Sequence, residues 1–168
     1  LDNGRPSDAD AILTKLLAQD AKNLFYIDAY TDVLLANNQG EKALRMLEQE
    51  YLLRPNNLVI TLNYANVAKQ MKSERLALHL LKNLLYAKPE SYLAYEMLVD
   101  LYKALGDNAR YYEARADLYY QLAVYPKAID DLNVALNHVP EQDKLESRRL
   151  EAKKKQLQTE FTRVKQLN

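Results

Sequence analysis

A period of 34 residues constrains this chain more than any other feature. Ala9, Ala43 and Ala77 are spaced by 34 and 34, and Ala21, Pro55 and Pro89 keep the same spacings. The stretches "EKALRMLEQEYLLRPNN" and "RLALHLLKNLLYAKPES" carry both columns in the same layout. A unit this short cannot bury an apolar face by itself, so successive units must stack and share a core. The columns have direct physical reasons. Alanine marks where a neighbouring helix comes closest, and proline closes the unit because it lacks the N–H donor and restricts the residue before it.

The units are helical. Only three Gly and five Pro interrupt 168 residues, and Leu, Ala, Lys, Glu and Gln recur throughout, side chains that lose little freedom on a helix. A 34-residue pair of antiparallel helices resembles the tetratricopeptide repeat, which implies an all-α superhelix, or α-solenoid. One repeat runs over 24–57, with Ile27, Tyr30 and Leu34 in its first helix and Ala43, Leu47 and Pro55 in its second half. The next covers 58–91, with Tyr64, Ala65 and Ala68 followed by Ala77, Leu81, Leu84 and Pro89. Thr61 stands where that family often has Trp, and Thr31 where it prefers Gly or Ala.

A third repeat opens at Tyr92, and then the period breaks: Tyr111 fills the alanine column, while Ala128 and Pro140 each lie 51 residues after Ala77 and Pro89. Fifty-one is one and a half periods, which predicts that 108–122 serves both as the second helix of one pair and the first of the next. The expected helices are 6–19, 24–37, 40–53, 57–70, 74–87, 92–105, 108–122, 125–138 and 142–166, about nine in one repeat domain. "NNQG", "LGDN" and "HVPEQD" supply turns, with Ser73 and either Asp107 or Asn108 as N-caps. Residues 1–23 form the second helix of a truncated repeat, whose first helix lies upstream unless its apolar side is covered otherwise. Residues 92–140 make one and a half repeats. The final segment, 141–168, is a charged rod with Leu145, Ala152, Leu157, Phe161, Val164 and Leu167 along one side and Leu150 nearby; it caps the solenoid, binds a partner or dimerises.

Little in the sequence points to chemistry. The formal charge is zero, so no long-range field recruits nucleic acid or an anionic membrane, although 141–168 holds eight basic and five acidic residues. There is no cysteine, which leaves compartment open between cytoplasm and periplasm. His79 and His138 stand 59 residues apart with no HExxH motif, and glycines at 4, 40 and 106 cannot build a phosphate loop, so neither an enzyme nor a cofactor is expected in this chain. No run of residues is apolar enough to span a bilayer. Asp130 and Asp131 read as a solvated face. Thirteen tyrosines, including the pairs 111–112 and 119–120, fit packing between helices better than stacking on bases, because 92–125 is not basic.

A binding role remains. First helices of this architecture line a groove, and the inward positions here are Phe25, Asp28, Asp32 and Leu35, then Leu62, Asn66 and Lys69, then Leu93, Glu96, Asp100 and Lys103, then Glu113, Asp117 and Tyr120. The surface is predominantly acidic with apolar spots. Asp28 and Asp32 fall at the first positions of the lysine and asparagine clamp by which chaperone-tail-binding members of the family hold a terminal carboxylate, and their charge argues against such a ligand. A basic or neutral segment, or a neighbouring domain, fits better; alternatively the acids only solubilise the face.

The order of features narrows the resemblance. "NLFYIDAYTDVLLANNQGEKALRMLE", then "LYKALGDNARYYEARADLYYQLAVYPKAIDDLNVAL", then a charged final helix, resembles the C-terminal repeat domain of BepA-type bacterial periplasmic zinc metalloproteases over essentially the whole chain. The resemblance implies a parent with an upstream HExxH domain that holds the zinc, located in the periplasm of a Gram-negative bacterium. It also implies partners: the parent's own protease domain, the outer-membrane assembly machinery and its substrates. The chain starts "LDNGRPSDA" without an initiator Met, consistent with a fragment or a mature product. A tetratricopeptide adaptor with no protease attached is the alternative.

Overall fold

The structure, a computed structural model, describes residues 6–167, and of 6–8 the backbone only. Residues 1–5 and 168 of the expected first and last segments lie outside the described residues. Among the described residues there are nine helices: α1 (Pro6–Gln19), α2 (Leu24–Ala36), α3 (Gly40–Leu53), α4 (Leu58–Gln70), α5 (Glu74–Ala87), α6 (Tyr92–Leu105), α7 (Asn108–Gln121), α8 (Tyr125–Asn137) and α9 (Lys144–Leu167). They match the expected helices to within two residues at each end. The largest difference is at α9, which starts at Lys144 because Asp143 caps it, its carboxylate accepting from the Glu146 N–H at 3.0 Å.

One turn geometry recurs through the chain. Asn38, Lys72, Gly106 and Ala123 all hold positive φ, at 57°, 57°, 69° and 56°. At each, the left-handed residue's N–H reaches the carbonyl three residues back, and the next N–H reaches the carbonyl five residues back. The four longer bonds are Gln39 to Leu34 at 2.7 Å, Ser73 to Ala68 at 2.8 Å, Asp107 to Tyr102 at 3.1 Å and Val124 to Tyr119 at 2.9 Å. This double bond satisfies carbonyls that a helix end leaves unpaired and reverses the chain in three residues or fewer. The first three turns are 34 residues apart; the fourth follows after half a period. Helix α7 is therefore entered through one such turn and left through another.

The described residues form two units, divided between Pro89 and Glu90. In the first, α2 to α5 pack around Ile27, Leu34, Leu47, Ile60 and Leu84, each no more than 2% exposed, and Ala43 and Ala77 sit at the close approaches. Helix α1 packs on α2, with Thr14 Oγ1 3.5 Å from the Tyr30 hydroxyl, while Ile12 stays 59% exposed. The first helices of the repeats start at equivalent residues. Asn23 and Asn57 accept helix N–H bonds through their side chains, whereas the Oγ of Ser91 is buried without a partner, as is the hydroxyl of Thr61. Ser73 precedes α5 but makes no side-chain cap bond, contrary to expectation; only its N–H is engaged, by the Ala68 carbonyl. Asp107, rather than Asn108, caps α7 by accepting from the Arg110 N–H at 3.1 Å.

In the second unit α6 packs on α7, α7 on α8 and α8 on α9. Ala116, Ala128, Leu132, Ala135, Leu150 and Leu157 form the core there, edged by Tyr112, Tyr119 and Tyr120. The buried line of α9 differs from the expected stripe. Leu150 and Leu157 are its buried residues and Phe161 and Val164 are half-buried, but Leu145, Ala152 and Leu167 face solvent. A seven-residue step keeps Leu150 and Leu157 on one face, which Leu145 and Ala152 miss. Eleven of the thirteen tyrosines are buried or half-buried, with Tyr86 and Tyr92 exposed, so the packing role expected for them holds.

Gly106 needs its left-handed backbone, with nothing within 4 Å of where a Cβ would be. Gly106→Ala is expected to cost about 1 kcal/mol from backbone strain alone, read as a lower midpoint in urea unfolding with an unchanged slope.

Candidate functional site

The groove positions divide between the two units and differ in what already touches them. In the first unit, α2 presents Phe25, 84% exposed, and the exposed pair Asp28 and Asp32, followed by half-buried Leu35. Asn63 of α4 donates to Asp28 at 2.7 Å, and Leu62, Asn66 and Lys69 of the same helix are half-buried. Desolvation, then the neighbouring Asp28 charge, raise the Asp32 carboxyl above its ordinary value. In the second unit, Leu93, Asp100 and Lys103 are exposed, and Glu96 accepts from the Tyr92 hydroxyl at 2.6 Å.

Three expected groove residues are occupied by the chain itself. Arg149 of α9 grips Glu113 of α7 with two bonds, at 2.7 and 2.5 Å. Lys153, one helical turn further on, bridges Glu113 at 2.8 Å and Asp117 at 2.7 Å. The Tyr120 hydroxyl donates to Glu160 at 3.1 Å. An aromatic row continues from Tyr120 through Tyr125 to Phe161, with centroids 5.9 and 5.6 Å apart, and Lys165 lies over the Phe161 ring. Glu113, Asp117 and Tyr120 are thus the seat of α9, which corrects their reading as open groove.

The electrostatics of this seat run in two directions. Burial pushes Glu113 up, but Arg149 and Lys153 together outweigh it and hold the carboxyl at about 2. Asp117 is raised, by burial first and then by Glu113, against the pull of Lys153. Lys153 is raised as well: burial would lower it, and the two carboxylates more than reverse that. Asp117 and Lys153 also act in opposite senses on the Tyr95 phenol of α6, which burial raises.

A second ion pair was not legible as such in the sequence. Arg115 of α7 holds Asp131 of α8 through Nε and a terminal nitrogen, both at 2.6 Å, and its other terminal nitrogen donates to the Tyr111 hydroxyl at 3.0 Å. The guanidinium lies 4.9 to 6.0 Å from the ring centroids of Tyr111, Tyr112 and Tyr119. Asp131 is 5% exposed, so it is a buried anion, whereas its neighbour Asp130 does face solvent. Three of the four paired tyrosines thus surround one arginine, while Tyr120 turns to α9. Of the histidines, His79 meets Asn83 at 2.9 Å and His138 stacks on Tyr112 at 5.6 Å. Among the described residues no group of three or more His, Cys, Asp or Glu is arranged to hold a metal, and no helix is long and apolar enough to cross a membrane.

With the geometry in view, comparison with known proteins defines the class. No family model matches the chain. Among solved structures, a MamA double mutant (RS-1) is similar over 95% of this chain and 88% of that one, at 19% identity and a TM-score of 0.59. A thermophilic tetratricopeptide-repeat protein of Thermus thermophilus is similar over 94% and 93%, at 14% identity and a TM-score of 0.53. The fold is an all-α, tetratricopeptide-like solenoid. Among curated proteins, the chain is 27% identical over 110 residues to the beta-barrel assembly-enhancing protease of Yersinia pestis, covering 66% of this chain and 23% of that protein. It is 28% identical over 132 residues to the protein of that name in Escherichia coli K12, covering 79% and 27%. The chain thus spans about a quarter of the length of the curated relatives it matches.

The ion pairs have measurable consequences. Arg115→Ala leaves the buried Asp131 carboxylate uncompensated and is expected to cost about 3 kcal/mol, measured by urea unfolding; Asp130→Ala, on the exposed neighbour, should be close to neutral. Glu113, with its folded value depressed, contributes stability that is complete above its ordinary 4.5 and lost as pH falls through about 2. Glu146, also held down by Arg149, adds to that limb, while Asp117, being raised, changes its contribution at and above its ordinary 3.8. Acid titration of thermal stability should therefore show a loss below pH 4.5 that shrinks in Glu113→Gln.

Proposed function

We propose that this chain is the protein-binding repeat domain of a protein like the beta-barrel assembly-enhancing proteases, working in the periplasm of a Gram-negative bacterium. The observation that carries the reading is the similarity to those proteases across two thirds to four fifths of this chain, on a fold whose helices pack to present side-chain faces. In this reading the HExxH domain and its zinc lie elsewhere in the parent protein. The repeat domain positions partners: the outer-membrane β-barrel assembly machinery, its substrates, or the parent's own protease domain. The acids of α2 and α6 are its contact residues, for their charge selects basic or neutral segments and repels acidic ones.

The test is capture from detergent-solubilised envelope, with the wild-type chain and the variant Asp28→Lys/Asp32→Lys/Asp100→Lys as paired baits. The wild type is expected to retain identified β-barrel assembly components, and the variant to lose about tenfold or more of them. Equal capture by both baits places contact on another face, and capture of none of these components by the wild type removes the assembly reading.

A further inference from the structure

The expected apolar stripe of α9 includes Leu145 and Leu167, which the structure leaves 82% and 80% exposed. What shares their side of the helix is positive charge. Lys144, Arg148, Lys155 and Arg163 are all exposed, and at about 3.6 residues per turn these four and the two leucines fall within about 140° of arc, away from buried Leu150 and Leu157. At about 1.5 Å per residue the four cations extend over about 28 Å of one helix.

Charge on α9 is sorted by side. Of its acids, Glu146 is held by Arg149 and Glu160 accepts from the Tyr120 hydroxyl, and both are half-buried. Arg149 and Lys153 meet the acids of α7, Lys154 donates to Asn133 of α8, and Lys165 lies over the Phe161 ring. Among the described residues the side chains of Lys144, Arg148, Lys155 and Arg163 have no such partner. The remaining acid of the helix, exposed Glu151, lies among them, so four cations stand against one anion.

The surface of a single helix is convex and has no cleft in which to seat the side chains of a peptide. It suits a ligand that is broad, anionic and able to take up two leucines. An anionic lipid surface has these properties, with phosphates at the depth of the cations and acyl chains beneath for the leucines. A nucleic-acid backbone or a purely acidic tail offers the charge but nothing apolar for Leu145 and Leu167.

We propose that the outer side of α9 binds an anionic lipid surface peripherally, the helix lying in the headgroup plane with Lys144, Arg148, Lys155 and Arg163 on lipid phosphates. The formal charge of zero means that the whole protein is not drawn from a distance; the cations act within about a Debye length of the surface, ~10 Å at 0.1 M salt. Docking leaves the bonds of Arg149 and Lys153 to α7 in place, so α9 stays attached. This surface goes beyond the protein-binding role and shares no residue with the acids assigned to it, so the two can fail separately.

The test is flotation of the intact 168-residue protein with extruded vesicles of phosphatidylcholine, with and without phosphatidylglycerol. Binding is expected only where phosphatidylglycerol is present, and to weaken as salt is added. A cation at an anionic membrane contributes about fivefold, so Arg148→Gln/Lys155→Gln should lose about twentyfold or more. Leu145→Ser/Leu167→Ser should lose about fivefold or more. Arg75→Gln/Lys82→Gln, which removes two exposed cations of α5, should bind as the wild type does. All these changes are at exposed positions, and circular dichroism melting confirms that each variant is folded. Equal binding to both kinds of vesicle, no binding, an equal loss in the α5 variant, or full binding by the leucine variant overturns the proposal. Capture of duplex DNA or polyglutamate through Arg148 and Lys155 without vesicle binding also overturns it, and makes the partner an acidic polymer.

Discussion

A helix pair can be stacked repeatedly only if the chain reverses within a few residues and returns at a fixed angle, and here one left-handed residue does this at every reversal inside a pair. The turn closes two backbone bonds that the helix end would otherwise leave to solvent, so it is favourable as well as short. Its cost is conformational. Gly106 meets it freely, Asn38 with little strain, but Lys72 and Ala123 hold a backbone that their side chains disfavour. Packing must outweigh that strain, and the fully buried alanines Ala43, Ala77 and Ala128, each at most 1% exposed, are where the helices come close enough to do so.

The same turn explains the break in period. Once α7 is both entered and left through it, the helix has packing neighbours in α6 and α8 and needs small residues toward them, which Ala114 and Ala116 provide. Tyr111, in the expected alanine column, is then free to turn toward Arg115. The acids of α7 remain at the places where a first helix carries them, and α9 meets them with opposite charge. Only Leu150 and Leu157 of its 24 residues are buried, so ion pairs carry an unusual share of the attachment. Exposed pairs contribute little and half-buried ones more, which is why Glu113, with a side chain 15% exposed, matters more than the i,i+3 pair of Arg149 with Glu146.

Much of this was legible in the sequence because the signals were periodic. Alanine and proline columns gave the spacing of the helices, and the offset of Ala128 and Pro140 placed α8 half a period out of step. The turn at Gly106 carried its own composition, but those at Lys72 and Ala123 did not: neither residue type announces a left-handed backbone, and only bonds such as Ser73 to Ala68 reveal it. Asp131 looked like surface because adjacent acids usually are, and its partner Arg115 lies 16 residues away on another helix. The stripe of α9 misled for a related reason. Leucines at 145 and 167 share the composition of a buried face without sharing the angular position of Leu150 and Leu157.

The candidate site was legible by position and not by state. Counting along the repeat finds Asp28, Asp32, Glu113 and Asp117 equally well, since register depends only on local chain geometry. Whether an acid pair is open depends on a contact 36 to 40 residues distant in sequence, which no local pattern contains. One trace of it was present: the excess of basic residues after position 140. That charge has a destination on α7, so the near-neutral total of the chain conceals an acidic face that is neutralised and another that is not. A net charge of zero is thus a sum over a face whose acids are paired with cations and a face whose acids are not.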